Sequence, residues 1–482
     1  MNGSSVGVIL FMEKAYKKLG TNIGLFAISS FGTKIINFLL VPLYTSYLST
    51  AEYGTVDMLT TIAQLLIPIF SLDIADSVIR FTLDKHANRD SVLLTAVKTI
   101  LLGSALLMAI LFVVICTGFF DVSFGYIAFI FLSFLLTSIY NSLTNYFRGC
   151  DKIVDIVIAG IISTLVNGLS NVLFLVGFHW GMNGYICANI LGLLIPVVFL
   201  LYKAANYGFL NLKNVKYDKE IEQEMLKYSI PLIVNALSWW INNSLDRIFV
   251  ISICGVDANG LLAVSYKIPS ILAMFQTVFN QAWIMSAVQE FDPEDRNGFF
   301  SKTYSVYGCL MIIVCSGILL FNVPMAKILY AKDFFQAWQF TGVLVIAHFF
   351  SSMSTCVSGV FNAVKDTKTL SMSTIIGAVI NTVLNAILIV KMGVMGGVIA
   401  TLASNIIIWV WRMYKVKTYI KLKIHLIRDG VAYVLLIIQC IVGLSEGHMY
   451  ISQIVLFFII VVFYWREIST VLEMALKRVK SR

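Results

Sequence analysis

The sequence predicts an all-α polytopic membrane protein: about 14 transmembrane helices, as two six-helix lobes in parallel pseudo-repeat plus two C-terminal helices. Three observations carry that expectation. Of 482 residues, 59% are hydrophobic and 13% charged, about half the charged share of a soluble domain, and the mean hydropathy is +0.86. Apolar runs near 20 residues, enough for one crossing each, recur from Gly20 to Leu472. Positive charges sort between alternate connections. This composition excludes a disordered chain, a disulfide-stapled secreted module and a soluble catalytic domain.

Spans are expected near 20–47, 55–79, 92–118, 124–146, 154–176, 182–202, 229–253, 260–286, 303–322, 337–362, 369–390, 394–411, 429–444 and 450–465. They divide the chain into a cytoplasmic tail (1–19), an N-lobe (20–202), a cytoplasmic linker (203–228), a C-lobe (229–411), a basic cytoplasmic loop (412–428), the last two spans (429–465) and a cytoplasmic C-terminal tail (466–482). An even span count puts both termini on one side. With the N-terminal tail inside, 28 of the 35 Lys and Arg fall on inner segments. Lys327, Lys332 and Lys391 lie outside, and Lys34, Lys98, Arg247 and Lys267 fall within spans. That bias is the positive-inside pattern of a cytoplasmic membrane. The net charge of +9 therefore follows from topology and implies no nucleic-acid partner. Membrane lipids remain a partner, with Lys415 to Lys423 placed to meet anionic headgroups.

No cleavable signal is expected, because the short apolar stretch Val6 to Met12 precedes its positive charges. Met12 opens a conventional-looking start, so residues 1–11 are read as either native or an upstream extension. The eight cysteines form no Cys-x-x-Cys pair and the five histidines no ligand spacing, so no metal and no cofactor is expected. Gly443-Leu-Ser-Glu-Gly447 matches a nucleophile elbow, but it joins two apolar spans with no strand before it. A loop is the expected reading, and no catalytic residues are assigned. Glycine-rich phosphate loops are absent too, so transport work must draw on an existing gradient.

An internal repeat bears on architecture. Asn167-x-x-x-Asn171 in the fifth span matches Asn381-x-x-x-Asn385 in the eleventh, and each leads into a glycine-containing hairpin, Gly181 to Gly184 and Val394 to Gly397. A displacement of six spans preserves orientation, which predicts the two similar halves. Amides four residues apart share a helix face and need a neighbouring helix or a hydrated cavity.

Ionisable groups inside spans cost about 2.5–3.5 kcal/mol each on insertion scales, so each is a functional candidate. In the first span Ser30, Lys34 and Asn37 form one polar stripe. In the seventh, Asn235, Trp239, Asn242 and Asp246 share a face, with Arg247 next. In the eighth, Lys267, Ser270, Met274, Thr277 and Gln281 share another. Asp246, Arg247 and Lys267 lie at similar depth, so either a salt bridge or a binding site is open to them. Lys34, Asn37, Asn235, Trp239, Asn242, Arg247, Lys267 and Gln281 are the substrate-binding candidates, with Trp240 a further sugar-contacting face. Asp57, Asp246 and His348 are candidates for gating or ion coupling, His348 against a packing role. Lys98 is expected to snorkel to the cytoplasmic interface, and Asp76 to pair with Arg80 across one helical turn.

The motifs Asn381-x-x-x-Asn385, Gly393-Val-Met-Gly-Gly397-Val-Ile-Ala400-Thr401, Leu48-Ser-Thr-Ala-Glu52-Tyr53-Gly54 and Arg80-Phe81 give the chain a likeness to a known family. It resembles the O-antigen and exopolysaccharide repeat-unit flippases (Wzx-like) of the multidrug/oligosaccharidyl-lipid/polysaccharide exporter superfamily. The resemblance implies two lobes forming a V around a central cavity, with alternating access. It implies a cargo of undecaprenyl-diphosphate-linked oligosaccharide, with polysaccharide polymerase or ligase machinery as partners. Cationic groups would hold the diphosphate, and amides and aromatics the sugars. Few arginines in the first two spans depart from the lipid II flippases. A multidrug or organic-cation antiporter is the alternative within the superfamily, and a polytopic enzyme acting on lipid-linked sugars the alternative outside it.

Overall fold

Backbone amides in hydrocarbon must be satisfied within their own segment, which a helix does and an open strand does not. The computed structural model describes residues 32, 35–84, 89–117, 123–209, 218–364, 366–445 and 450–469, apart from the side chains of 242, 281, 282, 284, 285, 289 and 426. Among these residues all regular structure is helical. Lys34, Ser30 and Glu446-Gly447 lie outside them.

The helices are α1 (Val41–Tyr47), α2 (Thr50–Phe70), α3 (Ile74–Thr82), α4 (Arg89–Thr117), α5 (Phe124–Gly149), α6 (Ile153–Asn171, continued by a π-turn to Gly177), α7 (Gly181–Asn206) and α8 (Lys219–Cys254). They continue as α9 (Val256–Ser265), α10 (Ser270–Gln289), α11 (Phe299–Leu329), α12 (Trp338–Ala363), α13 (Thr367–Met392), α14 (Val394–Val416), α15 (Leu426–Leu444) and α16 (Tyr450–Phe463). From the second onward each expected span overlaps a described helix, although α8 starts ten residues before the expected 229 and two spans are broken; of the first span, residues 20–31, 33 and 34 lie outside the described set. The second span ends at Phe70, short of the expected residue 79, with a separate short helix from Ile74, and the eighth is interrupted between Ser265 and Ser270 with a 50° bend.

Ten helices among the described residues are long and apolar enough to cross a membrane, eleven if the bent pair counts as one. The Ile35–Tyr47 stretch and Tyr450–Phe463 are shorter. Helix α8 has the length but carries Asn235, Asn242, Asn243, Asp246 and Arg247, which lower its apolarity. On α4, Leu101, Leu102, Leu106, Met108 and Phe112 stand more than half exposed, as side chains facing lipid rather than water do.

The chain divides into two compact units. Unit 1 holds residues 1–43 and 55–240; unit 2 holds 44–54 and 241–482. In unit 1, α3, α4 and α5 pack around Ile74, Val78, Val92, Ala96, Leu143 and Phe147. Helix α4 reaches α8 through Lys98, whose ammonium lies 2.9 Å from Glu222. Lys98 therefore does not merely snorkel; it has found a carboxylate partner. Helix α6 packs on α7 through amides. Asn167 Nδ2 donates to Ala188 O and to Asn189 Oδ1, and Asn171 Nδ2 donates to Asn167 Oδ1 at 3.1 Å.

In unit 2 the same device joins α13 to α14: Asn385 Nδ2 donates to Asn381 Oδ1 at 2.8 Å, and Asn381 Nδ2 reaches Ser404 Oγ. In each pair the first asparagine reaches the neighbouring helix, and the second donates back to the first along its own helix. Helix α15 ties to α11 and α16 to α15 by polar contacts, with Ser316 Oγ donating to Gln439 Oε1, and Gln453 Nε2 donating to Gln439 O. The first turn of α2 crosses α9 where both helices carry glycine. A Cβ on Gly54 would stand 2.1 Å from Val256 O, and one on Gly260 2.0 Å from Thr50 O. Asn259 Nδ2 donates to Gly54 O, and Thr50 Oγ1 to Asp257 Oδ1.

Candidate functional site

Unit 2 gathers the intramembrane charges around the α9–α10 break. Pro269 lacks an N–H and precedes the first residue of α10, so the helix restarts there; residues 266–269 form turns instead. That break takes Lys267 off the α10 face that carries Ser270, Met274 and Thr277, correcting the single stripe expected from a continuous helix. It also presents Tyr266. The Tyr266 hydroxyl donates to Asp246 Oδ2 at 2.8 Å, and the backbone N–H of Arg247 donates to Asp246 Oδ1 at 2.9 Å. Asp246 is 3% exposed, and a carboxylate so placed needs such donors.

Arg247 stands with its guanidinium carbon 5.9 Å from the Tyr266 ring centre. The Lys267 ammonium lies 5.9 Å from the ring centre of Tyr53. His348, from α12, meets the Tyr266 ring edge-on at 6.3 Å. Arg247, Lys267, Asp246 and His348 therefore converge on one interrupted helix, with Tyr266 at the middle. From His348 a polar track continues inward: Ser352 Oγ donates to His348 O and lies 3.2 Å from Gln276 Oε1, and Gln276 Nε2 donates to Thr355 Oγ1.

The other predicted residues lie elsewhere. Asn235 and Trp239 are exposed on the part of α8 that belongs to unit 1. Asn37 is exposed, and Asp57 half-buried on α2. Trp240 donates its indole N–H to Thr61 O at 3.1 Å, so that donor is used in packing against α2. Asn242 and Gln281 occupy helical positions on α8 and α10, and their side chains lie outside the described set, as does Lys34.

Three features went unforeseen. Tyr266 is an aromatic within a span, ordinary until the break and its Asp246 contact are seen. Gln276 and Thr355 form an interhelical bond that spacing on one helix does not reveal. Arg412, assigned to a basic loop, lies inside α14 and donates to Ser373 Oγ, Thr374 Oγ1 and Ser354 O. Its hydrogen-bond acceptors are neutral oxygens, a costly arrangement for a guanidinium.

Comparison with known proteins follows the same lines. Residues 19–284 match the sequence profile of a family described as polysaccharide biosynthesis protein. The chain is similar in fold to the lipid II flippase MurJ in an inward closed conformation, with TM-score 0.66, 14% identity, and 92% of this chain and 99% of that one covered. It is also similar to a multidrug resistance MATE family transporter of the MOP superfamily. The inward-facing form gives TM-score 0.60 at 14% identity, covering 80% of this chain and 95% of that one. The outward-facing form gives 0.55 at 15%, covering 83% and 96%. No curated protein matches the sequence. At such identities the structural likeness establishes the fold.

Proposed function

We propose, because this chain belongs to the polysaccharide biosynthesis protein family, that it is a flippase. Its cargo is an undecaprenyl-diphosphate-linked oligosaccharide repeat unit, carried by alternating access from the cytoplasmic to the outer leaflet of a bacterial cytoplasmic membrane. The product feeds surface polysaccharide biosynthesis, as O-antigen, lipopolysaccharide or exopolysaccharide, with polymerase or ligase machinery downstream. Both termini are cytoplasmic in this reading. The lobes are residues 20–202 and 229–411, joined by the linker 203–228.

The observation that supports the reading is the placement of Lys267 in the break of the bent pair α9–α10, with Arg247 of α8 against Tyr266 of the same break. A diphosphate cannot enter hydrocarbon unaided, and its sugars need hydrogen bonds. In this reading Arg247, Lys267 and Lys34 bind the diphosphate. Asn37, Asn235, Asn242, Gln281 and Trp239 contact the sugars, and Asp57, Asp246 and His348 gate or couple. An organic-cation exporter would need an acidic site open to its cargo, whereas the buried Asp246 carboxylate already accepts from Tyr266.

The test is outer-leaflet exposure of a labelled lipid-linked oligosaccharide in membrane vesicles. An Arg247→Ala, Lys267→Ala double variant that purifies as a folded monodisperse protein is expected to lose at least tenfold in translocation rate. A wild-type rate in that variant overturns the proposed site.

A further inference from the structure

The break between α2 and α3 in unit 1 is built differently from the one at Tyr266. Leu72 and Asp73 both adopt left-handed backbone, at φ 53° and 51°. Neither is glycine, and a non-glycine residue held there costs about 1 kcal/mol or more. The break opens beside a polar cavity of about 230 Å³, lined by Ser71, Asp73 and Asp76 from the break and by Ser138, Asn141 and Asn145 from α5. Both carboxylates belong to the short turn and helix that follow the span Thr50–Phe70.

The cavity is rich in oxygen acceptors. Asp73 occupies the cap position of α3, yet its side chain accepts no capping hydrogen bond. Asp76 forms no ion pair with Arg80, contrary to the expected helix-end pair. Asn145 spends its Nδ2 on Ala75 O, and Ser71 its hydroxyl proton on Ile67 O, so each retains acceptor capacity toward the cavity. Ser138 is only 2% exposed, and its hydroxyl has no hydrogen-bond partner. A serine within a helix ordinarily bonds a carbonyl of the preceding turn. An unpartnered buried hydroxyl beside two carboxylates marks a place where something binds.

We propose that this cavity binds a monovalent alkali cation in competition with a proton. Hard cations take oxygen ligands of this kind, and a helix C-terminus turns its carbonyl dipoles toward the turn that follows it. Here that end is the last turn of α2. The charged groups lining the cavity are Asp73 and Asp76 on one side and Arg148 of α5 on the other; the last turn of α2 contributes none. Asp73 is held up at about 6, by burial first and by the Asp76 charge second. At neutral pH its carboxylate is therefore ionised at a cost that a bound cation relieves, and in acid the proton takes its place.

Thermal melting of the purified full-length protein in detergent tests this, in sodium, potassium or choline chloride at one ionic strength. At pH 8, sodium or potassium is expected to raise Tm by several degrees over choline, and the effective ion names the ligand. At pH 5 the difference collapses. Asp73→Asn, which tolerates the left-handed backbone, removes the alkali dependence while keeping the wild-type elution profile. Ser138→Ala raises the concentration for half-maximal effect several-fold. Equal Tm in all three salts at pH 8, or an alkali shift that persists in Asp73→Asn, overturns the proposal. Neither readout involves translocation, so this site and the proposed cargo stand or fall separately.

Discussion

Replacing Gly260 by alanine tests the crossing of α2 and α9 quantitatively. The new Cβ would stand 2.0 Å from Thr50 O, where real Cβ atoms essentially never approach within 3.0 Å. The helices must therefore separate by about 1 Å. That separation strains the bond from Asn259 Nδ2 to Gly54 O, now 2.9 Å, at a residue with no exposure. Overpacking costs about 1–3 kcal/mol, and stranding a buried hydrogen-bonding group about 1–3 more. Alanine returns about 1 kcal/mol of helix propensity. The net expectation is destabilisation by about 1–5 kcal/mol. The assay is reversible denaturant unfolding in mixed micelles, followed by tryptophan fluorescence. Gly430→Ala is the matched control, since a Cβ there meets nothing within 4 Å. Gly260→Ala with a stability within about 0.5 kcal/mol of wild type, the range of an ordinary surface substitution, would refute the argument that glycine is required by contact.

Tyr266→Phe should cost about 1.5–3 kcal/mol, because it takes a charge-assisted hydrogen bond from the buried Asp246; unfolding of that variant and of Asp246→Asn, Tyr266→Phe checks it, the second change recovering part of the loss. The Lys98–Glu222 pair is partly exposed, so a double-mutant cycle should return about 0.2–1 kcal/mol and shrink in 1 M salt. Asp73 has its folded pKa raised above the ordinary 3.8 to about 6, so the folded state holds its proton longer than the unfolded chain. Stability in choline buffers should fall as pH rises across that window. Asp73→Asn should flatten the profile, and an unchanged slope would assign the pH dependence to other groups.

Apolar run length made the spans legible, since a crossing needs a continuous stretch that composition displays directly. The breaks were less so. Pro269 carries a local signal in its missing N–H, but Leu72 and Asp73 carry none for left-handed backbone, so the second span read as continuous through residue 79. Within the site, Arg247, Lys267, Asp246 and His348 were singled out because charge in hydrocarbon is costly wherever it sits. Tyr266, which meets Asp246, Arg247 and His348, was not, because an aromatic in a span is inexpensive and therefore uninformative. Trp240 was singled out for its aromatic face, and spacing on one helix gave no sign that its N–H donates to the Thr61 carbonyl of α2. Arg412 was assigned by distance from the span centre, and only packing reveals that it is enclosed by α12, α13 and α14.

The asparagine pairs have a consequence for motion. A side-chain amide that spans two helices holds its bonds only while those helices keep register, so α6 with α7, and α13 with α14, should each travel as a single stiff paddle. Flexing then falls to the places where the helical ladder is already interrupted, at residues 71–73 and 266–269. Those two joints, rather than the hairpin turns, are where spectroscopic labels should report the working stroke.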